Sequence, residues 1–581
     1  MAEHDLVVRG GTLIDGSGED RRTADVAVRD GIVTEVGRVS GRGREEIDAD
    51  GALVMPGFVD LHTHYDGQAT WDSYLQPSSW HGITTVVMGN CGVGFAPAVP
   101  EDHGRLIALM EGVEDIPGVA LTEGLAWDWE TFPEYLDALE RRPHDLDLAA
   151  QVPHAALRMR AMGERAVAHE QATDDEITVM ATLAAEAVRA GALGFTTSRT
   201  LNHKTRAGEL TPSYAAGIAE LAAISRAIGE TGTGVLQLVT DWDDETIETD
   251  FELIATMARS AGRPMSFSLA QSPAYPDRYR KALDFLVRAN DEGLRMRAQV
   301  AARGIGILLG LDCTLNPFSG NPVWQELADL PVEEQARRMR DPEVRRRVLE
   351  LGVVKSPNII GGALLDAFHL MFELGDPPDY EPDPEQTLTR RAERAGVPVQ
   401  ELVYDRLVAD GGRGMLYMPF ANYVDGSLDG AGEMLAHDFT VPGLSDGGAH
   451  VGTICDGSFS TTLLQHWARD REAGRLTLEH VVSRQARATA EAVGLYDRGL
   501  LRPGYKGDLT VVDHDRLRLH KPEMHHDLPA GGRRLLQRAD GYVRTVVNGV
   551  VTYADGEATG ELPGRLVRGA QRDPEAPYRA T

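Results

Sequence analysis

Apolar and polar positions along this chain change rhythm twice. Over about the first 55 residues, short runs alternate with period two, as in DLVVRGGTLIDG and ADVAVRDGIVTEVG, and Asp-Gly pairs mark the turns. That pattern predicts β-hairpins. The far end has the same texture, with GDLTVVD near residue 510 and then VRTVVNGVVTYADG, where Asn548-Gly549 is placed to make a tight turn between two strands. Between the two ends, short apolar runs alternate with amphipathic stretches of helical period, the pattern of a parallel sheet built from βα units. The predicted strands are GFVDLH, TTVVMG, LDLAAQV, ALGFTTS, GVLQLV, PMSFSLAQ, GILLGL and TVPGLSD. The clearest helix follows Thr173, where T-D-D-E has capping-box spacing. Ile177, Met180, Ala181, Ala184 and Val188 then form one apolar stripe, and Gly191 stands where a C-terminal cap belongs. Further helices are predicted over 213–229 and 245–261.

Length turns this rhythm into an architecture. A chain of 581 residues, 42% hydrophobic and 25% charged, has ample material for a large core. Eight βα units fit an α/β fold of the (β/α)₈ TIM-like barrel type, residues 56–500, with chemistry at the C-terminal ends of its strands. Residues 1–55 and 501–581 are expected to build one small β-sandwich domain from both chain ends. The stretch of about 318–437 is too long for one βα step and is helical in texture, so it is predicted to be an insertion after strand seven. On a βα loop it would lie over the active-site face as a lid; a peripheral packing or oligomerisation element is the alternative.

Charge narrows the partners. With 58 basic and 89 acidic side chains the formal charge is -31, which argues against nucleic acid as a partner. No run approaches the ~20 apolar residues of a membrane span, and the N-terminus has no secretory pattern, so the expectation is a cytoplasmic protein acting on a small molecule. Three cysteines, Cys91, Cys313 and Cys455, are too few and scattered for a disulfide framework.

Three segments carry chemistry. In PGFVDLHTHYD, His62 and His64 sit two residues apart at the end of a strand, so their imidazoles share one face. That suits a single divalent cation, zinc before others. In TTVVMGNCGVGFAPA, Cys91 lies in a Gly-rich turn just past the next strand, which favours a thiolate ligand over a merely buried cysteine. In GLSDGGAHVGTICD, Asp446 follows the last strand, where a carboxylate can touch metal and water together and move a proton between nucleophile and leaving group. Arg199 and Lys204, after strand four, are candidates to hold a substrate carboxylate. Thr314 and Asn316 fall where a βα loop would meet substrate.

These motifs resemble the amidohydrolase superfamily and, within it, the D-aminoacylase or N-acyl-D-amino-acid deacylase group. The likeness runs through GFVDLHTHYD, the GNCG turn, VPHAALRMRAMG, GALGFTTSRT and SDGGAH, nearly the whole chain. It implies a metal-activated water attacking an amide carbonyl, with His62, His64 and Cys91 as ligands and Asp446 as ligand and general base and acid. It also implies N-acyl-D-amino acids as the substrate class, and assembly into homo-oligomers. His154 and Arg158 lie in a family-like segment and are expected to contact substrate. The departure is at strands five and six, where the group has two metal-binding histidines and Gln237 and Gln271 stand nearest here. With those imidazoles gone, His203 and His450 are candidates to complete the set, and the two amides become candidates to bind substrate. A non-hydrolytic enzyme on the same barrel, a copper or iron oxidase, lyase or cyclase, is the alternative. A scaffold with a decayed site is the third reading.

Overall fold

In the computed structural model, which describes residues 2–242, 245–355 and 361–576, both ends of the chain contribute to one sheet. Among the described residues it has nine strands. Five come from the N-terminal end (His4–Leu13, Arg22–Arg29, Ile32–Gly37, Gly43–Asp48, Leu53–Pro56) and four from the C-terminal end (Leu509–Val512, Tyr542–Val547, Val550–Ala554, Glu557–Ala558). The two groups meet where Leu53–Pro56 pairs antiparallel with Leu509–Val512. Period-two alternation places Leu6, Val8, Val26 and Val28 in one core with Leu509, Val511 and Val546. The Asn548-Gly549 turn forms as predicted. Val547 pairs with Val550, and both turn residues take positive φ, 51° and 77°, as a two-residue hairpin loop requires.

The central region supplies parallel strands, numbered here in chain order. They are β1 (Phe58–Asp60), β2 (Ile83–Met88), β3 (Asp147–Ala150), β4 (Gly194–Ser198), β5 (Val235–Val239), β6 (Met265–Leu269), β7 (Met296–Val300) and β8 (Thr440–Pro442). β1, β2 and β3 pair in that order, and β4, β5, β6, β7 and β8 pair in theirs. Just past β3, Gln151 N bonds Met88 O, and Val152–Pro153 pairs with β4, so a single run passes its pairing from β2 to β4. At the other seam, Thr63 bridges Gly447 in parallel, His64 N bonds Gly447 O at 2.8 Å, and Asp446 N bonds His62 O at 3.2 Å. These backbone bonds bring the ends of β1 and β8 together. Helices cover the outer faces; two matter below, α1 (His103–Val113) and α2 (Asp174–Ala190). α2 begins at the predicted capping box, Thr173 with Glu176, and ends at Gly191 with φ 120°.

Strand seven is where the sequence pattern misled. The predicted strand GILLGL, residues 306–311, overlaps the strand Ile305–Gly310, which pairs antiparallel with Met415–Ala421 in a separate sheet. The parallel position between β6 and β8 is taken by MRAQV, β7. Arg297 and Gln299 interrupt its apolar run, and only Met296, Ala298 and Val300 pack against the surrounding helices. From Ile305–Gly310, Ile307 and Leu309 instead join a second core with Phe318, Trp324, Leu407 and Leu416, and Leu308 packs with Cys313 and Tyr417. The excursion between β7 and β8 therefore begins near residue 301, earlier than the expected 318. It ends before the helix Asp429–Ala436, whose Ala431 and Met434 belong to the main core, rather than at 437. Part of it, residues 356–360, lies outside the described residues. No helix among the described residues is long and apolar enough to cross a membrane.

Candidate metal centre

Two turns deliver the site. After β2 the chain reverses through Gly89 (φ 83°), Cys91 (φ 56°) and Gly92 (φ 69°). A β-carbon on Gly89 would sit 2.2 Å from Gln151 O, and one on Gly92 2.9 Å from Thr197 Cα, so glycine alone fits at both places. Cys91 itself is held in the left-handed region and carries that strain. After β8 the loop again takes positive φ, at Leu444, Asp446, Gly448 and His450. Ser445 Oγ donates to Asp60 Oδ2 (2.5 Å) and His62 O (3.2 Å), which pins this loop to β1.

Among the described residues, the one group of three His, Cys, Asp or Glu side chains able to share a cation is His62, His64 and Cys91. One ligand atom from each lies within 4.8 Å of the others. His62 Nε2 is 3.2 Å from Cys91 Sγ and 3.4 Å from Asp446 Oδ1. His64 Nε2 is 3.6 Å from the same carboxylate oxygen. Tetrahedral ligands at zinc distances would lie ~3.4–3.6 Å from one another, so these separations fit an ion of that size. Neither nitrogen of the buried His64 has a hydrogen-bond partner, an arrangement expected of ligand atoms and costly in an ordinary core.

Burial and neighbours set the charges. Burial lowers His62 to about 4, although Asp446 opposes the shift, so the ring is a neutral donor. Burial likewise pushes the Cys91 thiol up to about 12 against the opposing pull of His64. Asp446 feels burial too, but the neighbouring imidazoles of His64, His62 and His450 hold its carboxyl well below the usual range. Burial opposes a charged His64, but Glu114, Asp446 and Cys91 raise the ring well above the usual imidazole range. The centre thus sets a neutral imidazole at His62 and one that its acidic neighbours favour as the cation at His64 beside a thiol and one persistent carboxylate, residue types suited to a borderline divalent ion.

The remaining predicted residues divide. His450 stays close, with Nε2 3.9 Å from Asp446 Oδ2 and 3.6 Å from Glu114 Oε2, but falls outside the three-residue group. His203 also falls outside it: its Nδ1 bonds Ser198 Oγ at 2.8 Å, and burial lowers it to about 3. Gln237 is buried on β5 with both amide atoms unpartnered. Gln271 is committed in part, its Nε2 donating to Pro276 O and its backbone exchanging bonds with Asn422, while its buried Oε1 has no partner among the described residues. His154 and Arg158, expected at the substrate, are fully buried around Glu220 (His154 Nε2 to Oε1 2.8 Å, Arg158 Nη1 to Oε1 2.7 Å), and Arg158 Nε has no partner among the described residues. Arg199 spends a guanidinium N–H on Ala216 O, and Lys204 lies in the same loop. Thr314 donates to Asp115, and Asn316 caps its own turn at Phe318 N.

Two residues absent from the sequence reading stand at the centre. Glu114, one residue past α1, is 1% exposed and places Oε1 3.3 Å from His64 Nδ1. Gln299, on β7, places Oε1 2.5 Å from His62 Nδ1. A lone Glu in MEGVEDIPG offers no spacing signal. Gln299 was hidden by the misplaced strand seven; reading MRAQV with period two would have turned it inward.

Comparison with known proteins agrees with this picture. Residues 45–553 match the model of the amidohydrolase family. An uncharacterized protein of Mycobacterium tuberculosis is 29% identical over 96% of this chain and 93% of its own length. A D-aminoacylase of Alcaligenes xylosoxydans xylosoxydans is 38% identical over 33% of this chain and 37% of its own. The solved structure of an N-acyl-D-glutamate deacylase from Bordetella bronchiseptica, complexed with zinc and a phosphonate inhibitor, superposes with TM-score 0.64 at 24% identity, covering 97% of this chain and 99% of that one. With most of its length inside the family model, the chain belongs to the amidohydrolase family and is a hydrolase of carbon–nitrogen bonds other than peptide bonds.

Proposed function

We propose that this protein hydrolyses the amide bond of N-acyl-D-amino acids, or of closely related N-acyl compounds, with one divalent cation, zinc by preference, held by His62, His64 and Cys91 beside Asp446. The observation that carries the reading is the convergence of those four side chains at the C-terminal ends of β1, β2 and β8. On this reading the two parallel sheets are one closed (β/α)₈ barrel, the sheet from both chain ends is a satellite domain, and the excursion between β7 and β8 is an insertion over the active-site face. The substrate class follows from the D-aminoacylase and deacylase relatives.

A bound cation would polarise the scissile carbonyl and lower the pKa of water toward ~7. The chain's own groups supply the rest. Asp446 accepts a proton from the attacking water on a carboxylate oxygen, then delivers it to the leaving nitrogen, so the amide and water become a carboxylic acid and an amine. His450 flanks that carboxylate and steadies its negative charge. The unpartnered Gln237 amide is a neutral group able to hydrogen-bond the substrate, and Lys204, in the loop after β4, is the candidate to hold its carboxylate.

Protein purified without added metal tests this by metal analysis and by assay of matched N-acyl-D- and N-acyl-L-amino acids. About one zinc per chain with release of free D-amino acid is the expected outcome. A chain that binds no divalent ion after reconstitution, or a His62→Ala variant with full metal and full activity, would sink the proposal. Stoichiometric copper without hydrolysis would favour the non-hydrolytic alternative.

A further inference from the structure

We infer that Gln299 and Glu114 are positioning residues that fix His62 and His64 as Nε2 donors toward the cation; this rests on the metal site proposed above. His62 Nδ1 faces Gln299 Oε1 at 2.5 Å, and a carbonyl oxygen can only accept. The ring proton therefore resides on Nδ1, and the Nε2 lone pair points toward Cys91 and Asp446. Gln299 is held in turn, its Nε2 donating to Ser266 Oγ on β6 at 3.0 Å.

His64 repeats the arrangement with a carboxylate. Its Nδ1 lies 3.3 Å from Glu114 Oε1, and its Nε2 is on the side of Asp446. His64 Nδ1 and Glu114 Oε1 are both buried and both without a hydrogen bond, although they face one another. Two such atoms left apart would each carry a desolvation penalty, and a turn of the imidazole about its Cβ–Cγ bond pairs them. Glu114 also lies 3.6 Å from His450, so one carboxylate serves the imidazole of His64, past the end of β1, and the one beside Asp446. An outer partner on each ligating histidine sets its tautomer, orientation and basicity. Here the partners come from the loop after α1 and from β7, and they differ in charge, one amide and one carboxylate.

The test is metal affinity, read by zinc competition with a chromophoric chelator and by the thiolate-to-metal absorption of the cobalt-substituted protein. Gln299→Leu and Glu114→Leu, which remove the acceptor oxygen, are expected to weaken zinc binding ~10–100-fold and to shift the cobalt spectrum. Gln299→Glu and Glu114→Gln, which keep an acceptor oxygen, are expected to restore wild-type affinity within a few-fold. Apo-protein melting temperature reports folding independently. If one leucine variant misfolds, the folded one decides. Wild-type affinity and an unchanged cobalt spectrum in the folded leucine variants overturn the inference. Failure of the metal reading looks different, since then the wild-type protein itself binds no ion or His62→Ala binds as well as wild type.

Discussion

At the residue scale the centre depends on Asp446 remaining ionised in a buried place. Burial alone would raise its carboxyl, and His64, His62 and His450 together reverse that. A carboxylate kept so acidic is a weak base in isolation, which suits a group that must give the proton back to a leaving nitrogen. Replacing it with asparagine keeps the shape and one oxygen but removes the capacity to take a proton. Asp446→Asn is therefore expected to lower kcat by ~10²–10⁴-fold. Bound metal, measured on the same preparation, should persist, because His62, His64 and Cys91 are untouched. An unchanged kcat would remove Asp446 from the proton path. The residues the sequence made legible here are those in short motifs at strand ends: H-x-H, GNCG and SDGG. Glu114 has no such frame, because its position is set by where α1 stops, and α1 is specified by packing of Leu106, Leu109, Met110 and Val113.

At the element scale, turns position the chemistry and strands supply the platform. The apolar runs of β2, β3 and β4 are buried on both faces, which is why they read clearly along the chain. β7 did not, because two of its five residues, Arg297 and Gln299, are polar and the family of apolar runs offered GILLGL as a closer match. His154 and Arg158 show a related limit: a histidine and an arginine four residues apart give no sign along the chain that the distant Glu220 binds both. The Gly89–Gly92 turn gives the sharpest test at this scale. Gly92→Ala forces a β-carbon within 2.9 Å of Thr197 Cα at φ 69°, so the turn or β4 must move. The shift acts on Cys91, one residue away. Expected outcomes are a stability loss of about 1–3 kcal/mol from the strained conformation and weaker zinc binding in the chelator competition. Alanine tolerated with wild-type metal affinity would mean that the turn does not set the thiol's place.

At the scale of the whole molecule, the question is what joins the terminal sheet to the central strands. One carboxylate does much of it. Asp147, at the start of β3 and 1% exposed, accepts from Arg498 Nη1 at 3.0 Å, from Lys506, from Asn548 Nδ2 at 3.0 Å and from Arg565 N at 3.0 Å. All four partners come from the last fifth of the chain. Arg498 also donates to Thr85 Oγ1 on β2 at 2.8 Å, so the cluster ties two parallel strands to the C-terminal segment. Burial would raise the Asp147 carboxyl, but Lys506 and Arg498 prevail and hold it below the usual range. Asp147→Asn leaves the buried Arg498 and the part-buried Lys506 with only Asp497 and Asp508 as carboxylate partners, and removing the shared partner of such a cluster is expected to cost about 3 kcal/mol. Breaking the exposed pair Arg346–Glu350, with side chains 53% and 61% exposed, should cost at most ~0.5 kcal/mol. Urea denaturation of the two variants against wild type measures the contrast directly. The pH dependence has a definite sign. Because the native carboxyl is more acidic than the unfolded one, its contribution is full above about pH 4 and is lost as pH falls through the lowered native value. The deficit of Asp147→Asn should therefore be constant from neutral pH down to about pH 5 and shrink below pH 4. A deficit that grows on acidification, or equal effects of the two variants, would show that this cluster does not hold the terminal sheet to the central strands.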